Sequence, residues 1–340
     1  HPPGAPIFLI VGRLFSMLAG DDVTMVAWWI NISSVLFSAL TILFLFWTIT
    51  LLAKKLIPTP GNPGEEPHKT AEENLSKSQI ISIIGSGVVG ALACTFADSF
   101  WFSAVEAEVY ALSQFFTVFV VWAIFKWETI AEKEHSDKWL LLIAFMMGLS
   151  IGVHLLNLVT IPALAFVFYF KKYKTPKKRG IILTFIISFL ILFAIMIGVI
   201  QGLPSVAGKF ELFFVNNFGF PFGTGLVIFC ILFSGALVYG IVYSIREQKR
   251  ILNTALLCLT FILIGYSAYS IIFIRSIFNP PLDENDPENI IKFVSYLKRE
   301  QYGERPLLKG PYYTAKLTDQ KQGEPIYRKD TSTNKYVIYH

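Results

Sequence analysis

Charge is scarce in this chain. Of its 340 residues only 16% are Asp, Glu, Lys or Arg, where a soluble globular domain carries about a quarter. The shortfall is concentrated in long uncharged runs, 54% of the residues are apolar, and the mean hydropathy is +0.55. That pattern excludes a large water-soluble core and indicates membrane spans. Cysteine is scarce too. Cys94, Cys230 and Cys258 all sit inside apolar runs, so neither a disulfide framework nor a zinc-ligand spacing is present. The chain opens at His1-Pro2-Pro3-Gly4 with no Met and no basic n-region, so no cleavable signal peptide is read, and both ends are expected to be cuts through a longer polytopic protein. The formal net charge of +5 does not point to nucleic acid, because the basic residues form short clusters between apolar runs.

Those runs predict about eight membrane-spanning helices, at roughly 26–53, 80–97, 107–126, 139–154, 157–170, 180–201, 222–245 and 251–273. The two short ones around His154 read either as tilted spans joined by a tight outer turn or as a re-entrant pair, which is tolerated where protein surrounds the broken backbone. The connections 54–79, 126–138, 171–179 and 246–250 hold sixteen Lys or Arg; the alternate ones near 20–25, 98–106, 155–156 and 202–221 hold Lys209 alone. By the positive-inside rule the sparse loops, and the tail from Arg275, face outward. A span at 5–19 would invert that count. Ile7, Ile10, Val11, Leu14, Phe15 and Leu18 recur at helical spacing, so the segment is expected to be an amphipathic helix on the outer surface, with Leu14 and Phe15 packed on the bundle and Arg13 towards headgroups or the site.

Residues 58–79 are rich in Pro and Gly and read as a cytoplasmic linker. The expected division is a membrane domain over 1–275 and a polar, tyrosine-rich outer-face segment over 276–340, the latter helical near 287–302 and cut short. The fold class is thus an all-α polytopic membrane protein.

Chemistry is sought among outer polar residues. Asp21, Asp22, Asp98, Glu106, Glu108 and Glu211 are outer acids, densest in Ala97 to Tyr110. Each could simply keep a loop in water. A carboxylate that begins a long apolar span, however, needs a partner if buried. In a continuous helix Glu106 and Tyr110 would share a face. His154, at the outer end of its span, reads either as a packed interfacial histidine bonded to backbone or Asn157, or as a phosphate or sugar ligand. The Gly148/Gly152 pair, and Gly85, Gly87 and Gly90, read as helix-packing positions. Arg275 closes the last span as a snorkelling anchor or as an anion site. Glu106, His154 and Arg275 are expected to converge on one outer cleft below His1.

Several of these stretches carry a resemblance. His1-Pro2-Pro3-Gly4-Ala5-Pro6 followed by a surface helix and Gly20-Asp21-Asp22 is similar to the His-Pro-Pro segment of protein O-mannosyltransferases. Phe100 to Glu106, Glu108 to Ser113, Gly148 to Pro162, Ile274-Arg275-Ser276 with Asn279-Pro280, and Arg299 to Gly303 together resemble a mostly bacterial family grouped as glycosyltransferase family 117. The match covers nearly the whole chain. The resemblance implies a GT-C bundle whose outer loops hold a polyprenyl-phosphate-linked sugar, often mannose, and pass it to a hydroxyl acceptor such as Ser or Thr of an exported protein. It implies a bacterial inner-membrane enzyme with a site facing the periplasm. Glu106 and Asp98 are the candidate catalytic acids; His1, Pro2, Pro3, Glu108, Tyr110, His154, Asn157 and Arg275 are the candidate substrate-binding residues. In such enzymes the base lies in the first outer loop before His-Pro-Pro, hence upstream of residue 1, which leaves the activity of this stretch alone open. The pattern names no cofactor and leaves a divalent metal open. Partners are the lipid-linked donor, the acceptor and the bilayer, not nucleic acid.

Two rival classes stay in view: a transporter or lipid flippase, and a non-catalytic assembly subunit. Coupled transporters place ionisable residues near mid-membrane, whereas the spans at 139–154, 180–201, 222–245 and 251–273 have none in their middles.

Overall fold

A computed structural model describes residues 4–57, 75–303, 309–310, 312–316 and 325–339. The helices, in chain order, are α1 (Pro6–Ser16), α2 (Val26–Leu56), α3 (Lys77–Thr95), α4 (Asp98–Val105), α5 (Val109–Ile130), α6 (Asp137–Ile151), α7 (Ile161–Lys172), α8 (Lys178–Phe193), α9 (Leu203–Phe218), α10 (Thr224–Arg246), α11 (Arg250–Tyr266), α12 (Ser270–Ile277) and α13 (Ile290–Lys298). Strands β1 (Ile326–Asp330) and β2 (Lys335–Tyr339) form an antiparallel hairpin that the sequence reading did not anticipate. The chain is an all-α polytopic membrane protein, with this hairpin the one exception among the described residues. Most of the expected linker, 58–74, lies outside the described residues.

Among the described residues seven helical runs, not eight, are long and apolar enough to cross a membrane. The one that falls short is α6: its 15 residues reach about 22 Å against a hydrocarbon core of about 30 Å. It stops where the chain turns at Gly152–His154 into a 3₁₀ segment, Leu155–Thr160, that runs on into α7. A second difference concerns 202–221, read as a connection. The helix persists from Lys178 to Phe218 through a π-helical stretch, Ala194–Gly202. Pro204 sits in the first turn of α9 and cannot donate to the carbonyl four residues back; the widened π turn directly before it absorbs that mismatch.

The chain divides into two compact units. The first comprises Gly4–Leu192 and Thr254–Ala268. Here α2 and α5 interlock through aromatic rings: Phe44 meets Phe115, Phe119 and Trp122 at 4.9–5.9 Å between centroids. The residues that α2 buries are all hydroxyls, Ser33, Ser34, Ser38, Thr41 and Thr48. Gly148 and Gly265 let α6 and α11 touch backbone to backbone; a Cβ at Gly148 would collide with the Ile262 carbonyl. Gly87 and Gly90 likewise receive α2 side chains, whereas Gly85 meets nothing within 4 Å and is not a packing position. The expected alternation of loop ends holds within this unit. Lys55 pairs with Glu128, and Lys171 with Glu132, at one end of α5, while the starts of α1 and α5 gather at the other.

The second unit holds Phe193–Asn253 and Tyr269–His340. Ala207, Ile272, Ile290 and Phe293 form its core, joining α9, α12 and α13. Helix α13 falls inside the expected 287–302, with Asn289 capping its first turn at 3.1 Å. Glu211 corrects the reading of outer acids as solvated: it is completely buried. Its carboxylate accepts the amides of Gly223 (2.6 Å) and Leu226 (3.2 Å) at the start of α10, and the Tyr336 hydroxyl at 3.2 Å. A carboxylate at a helix N-terminus meets both orphan amides and the positive end of the dipole. Asn216 completes the attachment, donating to Tyr336 O (2.9 Å) and accepting from Tyr336 N (2.8 Å).

Candidate functional site

The site residues of the first unit gather where α5 begins. Helix α5 starts at Val109 because Glu106 and Glu108 are extended, with ψ of 138° and 162°; Glu106 closes α4 and its carbonyl accepts Glu108 N at 2.8 Å. That break removes the shared helical face expected of Glu106 and Tyr110. Asp98 occupies the first turn of α4, where an acid suits the dipole. Asp98, Glu106 and Glu108 are all exposed.

Tyr110, Ser113 and Thr117 then line one face of α5. Facing them is the turn after α6. His154 is extended (φ −158°) and caps the 3₁₀ segment: its Nδ1 accepts the Leu156 amide at 3.2 Å. With Nδ1 an acceptor, the neutral ring carries its proton on Nε2, so His154 presents a donor. Its ring lies 5.9 Å from that of Tyr110. The backbone-bonded reading of His154 is therefore correct for Nδ1.

Asn157 is almost wholly buried, and its Oδ1 accepts from Ser113 Oγ (2.9 Å) and Thr117 Oγ1 (2.6 Å). Its backbone amide donates to the His154 carbonyl at 3.4 Å. Asn157 thus ties the His154 turn to α5 rather than offering itself at a surface. Ser113 and Thr117 were missed as site residues, although their i, i+4 spacing, in register with Tyr110, was legible.

Helix α1 closes the third side. Ile7 N donates to Gly152 O at 3.0 Å, two residues before His154, and Pro6 is fully buried. Ile7, Phe8 and Val11 pack on Leu112, Phe116 and Val153. The expected packing face is corrected: Leu14 is 59% exposed and Phe15 only half-buried. The buried face is the one nearer Pro6 because the Gly152 contact pins that end, leaving Ile10, Leu14, Met17 and Leu18 as an outward apolar strip. Eleven residues span about 16 Å, so α1 does not cross a bilayer. Glu108 reaches a crevice beside Phe8, Val11, Ser33 and Ser34 that is too tight for water. His1, Pro2 and Pro3 lie outside the described residues.

In the second unit Arg275 stands half-buried in the last turn of α12. Next to it Ser276, fully buried, donates to Asp283 Oδ2 at 2.7 Å with Asp286 Oδ1 at 3.3 Å. Lys292 joins Asp286 to Glu288. The Arg299–Gly303 stretch folds back on the same loop, through Asn285 to Gln301 (2.6 Å) and Tyr302 to Glu284 (3.4 Å). Burial pushes the Tyr296 phenol up to about 12, so it stays a proton donor at ordinary pH. Both resemblance motifs in this region are therefore bonded to one loop, 283–286. Among the described residues no group of three or more His, Cys, Asp or Glu could hold a metal ion.

The sequence model of one family, described as Protein O-mannosyl-transferase TMEM260 N-terminal domain, matches residues 1–177. No curated protein and no solved structure matches the chain.

Proposed function

Because the chain belongs to the family of the protein O-mannosyl-transferase TMEM260 N-terminal domain, we propose that it transfers a sugar, mannose in the first instance, from a polyprenyl-phosphate carrier to a Ser or Thr hydroxyl of an exported protein. The observation that carries this reading is the convergence of α1, Tyr110 and the His154 turn at one end of α5, all inside the matched residues. A prenyl tail stays in the bilayer, so its sugar phosphate must be met at headgroup depth. The outward apolar strip of α1 suits the lipid there.

In the proposed reaction a carboxylate takes the acceptor proton, the acceptor oxygen bonds to the anomeric carbon, and the bond from that carbon to phosphate oxygen breaks. Glu106 or Asp98 is the base within this stretch unless one is supplied upstream of His1. His154 donates Nε2–H to sugar or phosphate, with Asn157 as its positioning residue. Glu108 and Tyr110 contact the sugar, and His1, Pro2 and Pro3 are assigned to substrate binding on the resemblance of their motif alone. Arg275 is proposed as the phosphate partner on chemistry alone, its planar fork suiting two oxygens. The setting proposed is a GT-C enzyme of a bacterial inner membrane, its site and the 276–340 segment facing the periplasm.

The test is mannosyl transfer by the full-length protein from radiolabelled polyprenyl-phosphate mannose to a Ser/Thr peptide. His154→Ala and Arg275→Lys should each lower kcat/KM by roughly ten- to a hundredfold, about 1.4–2.7 kcal/mol. Undiminished transfer by both variants would remove this site. Movement of the carrier lipid across the bilayer with no transfer to any peptide would favour the flippase.

A further inference from the structure

We propose that the hairpin Ile326–Tyr339 is a peripheral membrane element whose outward face binds the headgroups of anionic phospholipid. Its position is fixed by what it grips. Helix α10 has 23 residues, about 34 Å, just enough to cross the hydrocarbon core; its first turn and the 219–223 connection therefore lie at a bilayer surface. The hairpin is clasped to that connection. Asn216 holds Tyr336 by two backbone hydrogen bonds, the Tyr336 ring meets Phe222 edge-on at 5.1 Å, and Lys329 Nζ lies 4.6 Å over the Phe222 ring. A segment far beyond the last span, which ends at Ile277, is thus returned to the membrane surface.

Strand register then sorts the side chains. Ile326 pairs with Tyr339, Arg328 with Val337 and Asp330 with Lys335, so these six share the face opposite buried Tyr336. Ile326, Val337 and Tyr339 are 61%, 42% and 59% exposed. The Arg328 guanidinium lies 5.8 Å over the Tyr339 ring. Asp330, the one acid, is committed to Ser332 and Thr333 at 2.7 Å each. Two cations, a tyrosine and two aliphatic chains make the composition of an interfacial anchor, and the cations select anionic lipid. Phe218, the last residue of α9, and Phe220 in the connection are exposed as well and extend the same chemistry.

The measurement is spin-label accessibility on the full-length protein with Cys94, Cys230 and Cys258 changed to Ser, in nanodiscs of 3:1 phosphatidylcholine to phosphatidylglycerol. A nitroxide at Val337→Cys should collide several-fold less with an aqueous nickel chelate than one at Tyr313→Cys, a fully exposed tail position, and correspondingly more with oxygen. The protection should fall in pure phosphatidylcholine, fall with Arg328→Glu and Lys335→Glu, and vanish when Asn216→Ala opens the clasp. Equal accessibility of the two labels would overturn the proposal. So would protection that persists in detergent and in neutral lipid, which would mark a protein partner. The inference rests on the multi-pass reading alone, and none of these readouts depends on glycosyl transfer.

Discussion

Helix α2 in the first unit and Glu211 in the second bury polar groups in opposite ways. In the first, α2 buries hydroxyls that mostly return to their own helix: Ser33 to Ile30 O at 2.6 Å, Thr41 to Phe37 O and Thr48 to Phe44 O at 2.8 Å. Such bonds satisfy the hydroxyl without naming a tertiary partner, so the aromatic rings and the backbone contacts at Gly148 and Gly265 must set the geometry. In the second, a wholly buried carboxylate, Glu211, is met by two amides of another helix and by a tyrosine of the tail. A group that costs so much to desolvate tolerates one arrangement only. Shape specifies how α2, α6 and α11 pack in the first unit, beside the bonds of Asn157 to Ser113 and Thr117, and a buried carboxyl group specifies the second.

The sharpest way to break that contrast is Glu211→Ala. It leaves two amides and a phenol without their acceptor inside the protein, so a loss of about 3 kcal/mol is expected, together with faster hydrogen exchange across 326–339. Unchanged exchange of the hairpin would show that the carboxylate does not specify this unit. Gly148→Ala probes the other side. Its new Cβ meets the Ile262 carbonyl, and overpacking of about 2 kcal/mol should appear as a lower unfolding midpoint in detergent. Gly85→Ala, with open space around it, should stay within about 0.5 kcal/mol of the parent; equal effects at the two glycines would deny that shape decides. Thr41→Val with Thr48→Val sharpens the comparison from the hydroxyl side. Both donate to carbonyls of their own helix, and the pair should cost less than about 1 kcal/mol.

The smallest effect expected is one of pH. Hydrogen bonds from Ser332 and Thr333 hold the Asp330 carboxyl at about 2, below its ordinary 3.8. A carboxyl depressed by folding stabilises above its unfolded value and loses that contribution as pH falls towards the folded one. The hairpin should therefore loosen between about pH 4 and pH 2. The distance between spin labels at Val337→Cys and Phe220→Cys should broaden over that window, and Asp330→Asn should abolish the dependence. A transition centred above pH 5 would implicate another group.

How far all this was legible follows the same divide. Spans in the first unit could be read because apolar runs and basic clusters are properties of contiguous sequence; the pairing of Lys55 with Glu128 puts two predicted basic connections at one end, as the count required. Packing of α1 was not readable to the right residue, because its amphipathic stripe is wide and only the contact of Ile7 with Gly152 selects Phe8 and Val11 over Leu14. The break at Glu106–Glu108 was hidden as well, since nothing there is a strong helix breaker. The hairpin was missed for a different reason. Its register and docking depend on Asn216, 120 residues away from Tyr336, and no local pattern reports a contact of that separation. His154 could be singled out as a candidate from its type and its position at a span end, and Tyr110 from the motif it shares with Glu106; the structure sets their rings 5.9 Å apart.

The buried Glu211 has a consequence in time as well as in space. Gly223 and Leu226 follow it by 12 and 15 residues, but Tyr336 follows by 125. At synthesis rates of about 5–20 residues per second, the first two partners emerge within about three seconds, while the phenol arrives some six to twenty-five seconds after the carboxylate. The start of α10 must therefore satisfy the carboxyl group by itself as the spans enter the membrane, and the tail joins it afterwards. Among these groups the Tyr336 phenol is the last to arrive, so a ribosome stalled before residue 336 would leave Glu211 with its two amide partners alone and the clasp open.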